Sequence, residues 1–109
     1  MEERRLFERT PLAAEVELVH AGEEGGGPAR LRNISRSGAG LEISAPLPLD
    51  SVVSLRFSLL ESDRQRVTEA LTGRVVRCDA EGPSFAVGVQ FIQPIHSKRA
   101  PLLYARLNQ

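Results

Sequence analysis

The sequence predicts an all-β domain, a small antiparallel barrel or sandwich of about six strands followed by one short C-terminal helix. Three observations carry this. Apolar and polar residues alternate along most of the 109-residue chain, which is the period of half-buried strands. The stretches between are short and rich in Gly, Pro, Asp and Ser. Helical spacing occurs only at the end, and no strand–helix alternation points to a parallel sheet. The length suits one domain, residues 1–109, with a real but modest core.

The elements follow in order. In AAEVELVH, Ala13 to His20, Val16 and Leu18 face one way and Glu15 and Glu17 the other. Ala21 to Pro28 contains three successive glycines and no apolar anchor, so it reads as a flexible hairpin loop. ARLRNIS, from Ala29, is short and extended, and GAGLEIS, from Gly38, follows it. Ala45 to Ser51 carries two prolines and reads as a turn. Val52 to Leu60 is the clearest strand, with Val53, Leu55, Phe57 and Leu59 on one face. Arg66 to Asp79 is a longer strand with a bend expected at Gly73, where glycine permits a bulge or a barrel corner. In Ser84 to Ile92, Phe85, Val87, Val89 and Phe91 point inward and Gly88 and Gln90 outward. The barrel therefore spans residues 13–92. Leu103 and Leu107 lie four apart, which predicts a helix over 97–107 with Ser97 as N-cap and Pro101 in its first turn.

Composition narrows the function classes. Hydrophobic residues make up 41% and charged residues 26%, which is ordinary for a soluble globular domain and argues against global disorder. With four Phe, one Tyr and no Trp, the core must be mostly Val, Leu and Ile. Fourteen basic residues balance fourteen acidic ones, which argues against a grip on DNA or RNA but leaves room for a small anionic ligand held by a local cluster. A single cysteine, Cys78, excludes a disulfide framework and a multi-cysteine metal site. The first residues, MEERRLFERT, are charged and contain no apolar segment, and no run is long enough to span a membrane. The expectation is a cytoplasmic protein without membrane insertion.

Nothing forms a catalytic constellation. His20 and His96 do not make a metal-spaced pair, and Cys78 has no neighbouring cue for a thiolate. Neither a paired-carboxylate pattern nor a nucleophile elbow is present. Gly38-Ala39-Gly40 lacks the third glycine and the following helix of a dinucleotide fingerprint. The chain is expected to be a binding protein, not an enzyme, and to need no cofactor.

Two segments are more suggestive. ERRLFERTPL puts Arg4, Arg5 and Arg9 close together before the first strand. A guanidinium fork matches phosphate oxygens and the O6 and N7 acceptors of guanine, and it stacks on bases. The competing reading is a solvated tail neutralised by Glu2, Glu3 and Glu8. The second segment, RNISRSGAGLEI, reads by itself as a turn leading into a strand.

Taken together, Arg5-x-x-x-Arg9 and Asn33-x-Ser35-x-x-Gly38 resemble the signature of the PilZ domain family, the cyclic di-GMP receptors of bacteria. That signature is RxxxR, then a strand and hairpin, then (D/N)xSxxG, and both halves stand here in that order. RTPL after the first half, GLEI after the second, and Gly88 to Phe91 (GVQF) agree with it. The resemblance runs from about Arg4 to about Leu107. It implies a six-stranded antiparallel β-barrel, the split barrel of that family, with a C-terminal helix. It also implies cyclic di-GMP bound on the outer barrel surface, with residues 1–12 wrapping over it as a mobile switch. Arg5 and Arg9 would contact phosphates and guanine edges, Asn33 a guanine, and Ser35 a phosphate or guanine acceptor. Gly38 would permit the turn and close approach of the ligand. Arg4 adds a third guanidinium, which favours a stacked pair of ligand molecules. Arg36 either faces the ligand or is an exposed turn residue. The output would pass to an unidentified partner protein in motility, surface attachment and biofilm formation, or a related process. The alternative is a PilZ-fold protein–protein adaptor with weak or no nucleotide binding. Monomer and homodimer both stay open.

Overall fold

The computed structural model describes residues 14–20, 26–60 and 65–107. Six strands appear in chain order: β1 (Ala14–His20), β2 (Gly26–Ile34), β3 (Gly38–Ile43), β4 (Val52–Leu60), β5 (Arg66–Glu81) and β6 (Ser84–Phe91). One helix, α1 (Pro101–Leu107), ends the described chain. The strands close into a barrel in the order β1-β2-β3-β6-β5-β4, and every neighbouring pair is antiparallel. Each described strand is therefore paired on both sides over at least part of its length, and none is an edge strand throughout.

Alternation fills the interior. Val53, Leu55, Phe57 and Leu59 of β4 are fully buried and meet Val16 and Leu18 of β1, Leu71 and Val75 of β5, and Val87 and Val89 of β6. Each side chain of this size contributes about 1.5–3 kcal/mol when removed from water. The sparse aromatics agree with the packing, since Phe57 is the one fully buried aromatic among the described residues.

Two strand boundaries and one bulge differ from expectation. β2 begins at Gly26, inside the stretch read as a loop, because Val19 pairs with Gly26 and Leu18 with Gly27. The pairing partner recruits glycines that local propensity would leave out. β5 runs on to Glu81, where Gly82 adopts a φ of 60° and closes a two-residue hairpin back to Ser84. The irregularity in β5 falls between Val75 and Arg77 and not at Gly73. At that point the Asp50 amide donates to the Val75 carbonyl (2.7 Å), and the Val75 amide donates to Ser51 (2.9 Å).

The helix also starts later than Ser97. Residues 97–99 form a turn, with the Ala100 amide donating to His96 at 2.8 Å. Pro101 disfavours the helical conformation at Ala100 and suits the first helical position, where no amide donor is needed. The N-cap comes from elsewhere in the chain. Glu69 of β5, 7% exposed, accepts hydrogen bonds from the amides of Leu102 (2.8 Å) and Leu103 (2.9 Å). The carboxylate thus satisfies two end amides and sits favourably on the helix dipole. Leu103, Ile95 and Ala100, all fully buried, join the barrel core.

Candidate functional site

The signature residues of the second motif sit on the outer barrel wall because β2 carries a bulge. β2 pairs Leu31 with Leu41 but Asn33 with Gly40, so Arg32 is an extra residue. A one-residue slip moves every later side chain to the other face. Without it, Asn33 would follow Leu31 toward the interior. With it, Asn33 is exposed and Ile34 is fully buried. A second bulge, at Val76 in β5, does the same for Arg77, which is exposed while Cys78 is half-buried.

Between the two bulges lies a shelf. Gly40 pairs with Asn33 on one side and Gly88 on the other, and Gly88 pairs with Arg77. One row across four strands thus reads Asn33, Gly40, Gly88, Arg77. The two glycines leave the backbone bare. A Cβ on Gly40 would come within 2.9 Å of the Asn33 side-chain oxygen. The result is a shallow open cleft of about 330 Å³ lined by Asn33, Ser35, Gly38, Gly40, Arg77 and Gly88 among others. It offers a flat floor for a planar ring, an amide with both donor and acceptor, a hydroxyl and a guanidinium.

The turn from β2 to β3 holds Ser35 in place. The Ser35 amide donates to the Gly38 carbonyl at 2.8 Å, and the Ser37 amide donates to Ser35 Oγ at 3.3 Å. The Ser37 carbonyl accepts from the Phe91 amide at 2.8 Å, which ties the turn to the end of β6. Gly38 does not adopt a positive φ. Its lack of a side chain is required because a Cβ would run into the Val89 carbonyl oxygen of β6.

The structure therefore brings Asn33, Ser35 and Gly38 together. Arg36 points elsewhere: its guanidinium lies 5.2 Å from the centroid of the Tyr104 ring of α1, in a cleft with Ile95, His96 and Lys98. Arg4, Arg5 and Arg9 lie outside the described residues. Sequence reading did not select Gly40 or Arg77. Gly88 was read as an outward position and as the start of GVQF, with no role in the site. The glycine pair becomes meaningful only when the β3–β6 register is known, and Arg77 reaches the outer face only through the bulge.

The comparisons with known proteins agree with this geometry. The family described as PilZ domain matches residues 3–103. No curated protein matches the chain. A solved structure titled Bacillus subtilis inhibitor of motility (MotI/DgrA) superposes with a TM-score of 0.70 at 11% identity. The match covers 94% of this chain and 48% of that one, so the chain spans about half the length of that protein. At this identity the likeness speaks for the fold alone. The barrel topology, the second signature motif on its outer wall and the family match over residues 3–103 make one conclusion: the chain belongs to the PilZ domain family.

Proposed function

We propose that the chain is a cyclic di-GMP binding module that converts ligand binding into ordering of its N-terminal arginine segment and signals this to a partner protein. The observation that carries the reading is the cleft in which Asn33, Ser35 and Gly38 converge over the bare Gly40–Gly88 floor. In this reading a guanine lies on that floor, Asn33 bonds its edge, and Ser35 donates to a phosphate or guanine acceptor. Arg77, from the far side of the cleft, adds a guanidinium that the signature motif does not include. Arg5 and Arg9 close over the phosphates, and Arg4 caps a second, stacked ligand molecule.

Reach supports the arginine roles. Val16 pairs with Ala29, and Asn33 stands four residues further along β2, about 13 Å away at a strand's rise per residue. Seven residues separate Arg9 from Val16, an extended reach of up to about 25 Å. Ordering such a segment on a ligand is a known kind of switch. Arg36 would join the ligand only by leaving Tyr104.

Calorimetric titration with cyclic di-GMP tests the reading, repeated with Arg9→Ala and Ser35→Ala. Saturable binding is expected, with each substitution costing about 2–4 kcal/mol, the scale for removing one partner of a desolvated charged contact. A stoichiometry near two ligands per chain is expected from the stacked pair. If the unmodified protein shows no saturable binding, the nucleotide reading fails and the adaptor reading replaces it.

A further inference from the structure

Apart from Arg106 and from Arg56, which lies in a separate crevice, the cations of the described residues fall into two sets. Arg30, Arg32, Arg66, Arg74 and Arg77 each lie within 3.9 Å of a carboxylate oxygen. Arg36, Lys98 and Arg99 have no such partner among the described residues. These three line the same open cleft, of about 620 Å³, and no Asp or Glu among the described residues lines it. In a chain with as many carboxylates as cations, this is a local excess of positive charge that no carboxylate among the described residues neutralises.

The cleft has a defined build. Arg36 comes from the β2–β3 turn and Lys98 and Arg99 from the segment after β6. The Ile95 amide donates to the Arg36 carbonyl at 2.8 Å and joins the two segments. The Lys98 amide donates to Nδ1 of His96 at 3.2 Å, and the His96 ring sits 6.5 Å from that of Tyr104. Pro94 and Ile95 supply apolar lining between the cations. The first amides of α1 are taken by Glu69, so they offer no helix-terminus site for a compact anion.

We propose that this cleft docks an extended acidic segment of a partner protein. Long cationic side chains from two chain segments, separated by apolar lining, suit successive carboxylates carried on aliphatic stems better than one small phosphate. This rests on the proposed function in one respect: it gives the chemistry of the partner that the sensor needs. The connection is physical, because Arg36 belongs to the same short turn as Ser35 and Gly38. A ligand that shifts the turn shifts a wall of the docking cleft.

The test is a fluorescence titration of the full chain with a labelled oligoglutamate peptide, against a glycine–serine peptide of equal length. The double variant Lys98→Ala/Arg99→Ala should weaken oligoglutamate binding roughly tenfold or more, by loss of two charge contacts. Arg56→Ala removes another cation without a carboxylate partner among the described residues, in the separate crevice beside β1, and should leave binding unchanged. The proposal would be overturned by no saturable peptide binding, by equal weakening in Arg56→Ala, or by displacement of the peptide by equimolar pyrophosphate. Tighter binding of polyuridylate RNA than of the peptide would overturn it as well. Cyclic di-GMP titrated into the same double variant should bind as in the unmodified protein. Failure of the nucleotide reading is therefore visible separately from failure of this one.

Discussion

Gly40 shows how much one missing side chain decides. Its inward neighbours are ordinary core residues, but its own bare face keeps Asn33 in position and the floor open. Gly40→Val should weaken cyclic di-GMP binding by roughly tenfold or more, about 1.4 kcal/mol per factor of ten. Thermal stability should hold or rise slightly, because a β-branched residue suits a strand. Binding at unchanged affinity would remove the shelf from the site. Ser35 was legible in the sequence because it belongs to a motif with fixed spacing. Arg77 was not, because its spacing carries no signal until the fold supplies one. Arg77→Ala should reduce cyclic di-GMP affinity by about 1–3 kcal/mol without lowering the melting temperature, since its ion pair with Asp79 is exposed and worth little.

At the scale of elements, the strands were readable wherever strict alternation governed them. β4 follows it without a break and β6 does so except at the buried Ala86, and both were placed within a residue. β2 and β5 break it, each with one extra residue, and there the plain reading of period two fails. A bulge is a compromise between pairing partners, so neither strand shows it alone. The helix tells the same story. Its apolar spacing was legible, but its start was not, because the cap is a glutamate thirty-three residues earlier in the chain. Glu69→Ala should destabilise the domain by about 1.5–3 kcal/mol in urea denaturation, the scale for hydrogen bonds to a charged group. Glu69→Gln should recover part of that loss, since one acceptor remains. Equal stability of Glu69→Ala and the unmodified protein would show that α1 is held by its apolar packing alone.

At the scale of the whole molecule, ligand binding and folding are linked. A ligand that binds only the folded state adds about 2.7 kcal/mol of stability at a hundredfold excess over its dissociation constant. For a domain of this size that raises the melting temperature by on the order of 10 °C. Cyclic di-GMP should produce this shift in differential scanning fluorimetry, and Arg9→Ala should remove most of it. A shift of the same size with GMP would show that the site does not require the cyclic dinucleotide. The sequence by itself determined the class of fold, the inward faces of the regular strands, the makeup of the core and the two half-motifs. Each of these depends on residues near one another in the chain, or on a spacing fixed in it. Only the tertiary structure decided that Asn33 and Arg77 share a cleft, that two glycines meet to floor it, and that Glu69 caps the helix. It also decided that Arg36 turns away to join Lys98 and Arg99. These depend on strand register and barrel closure, which are set by the packing of all six strands at once.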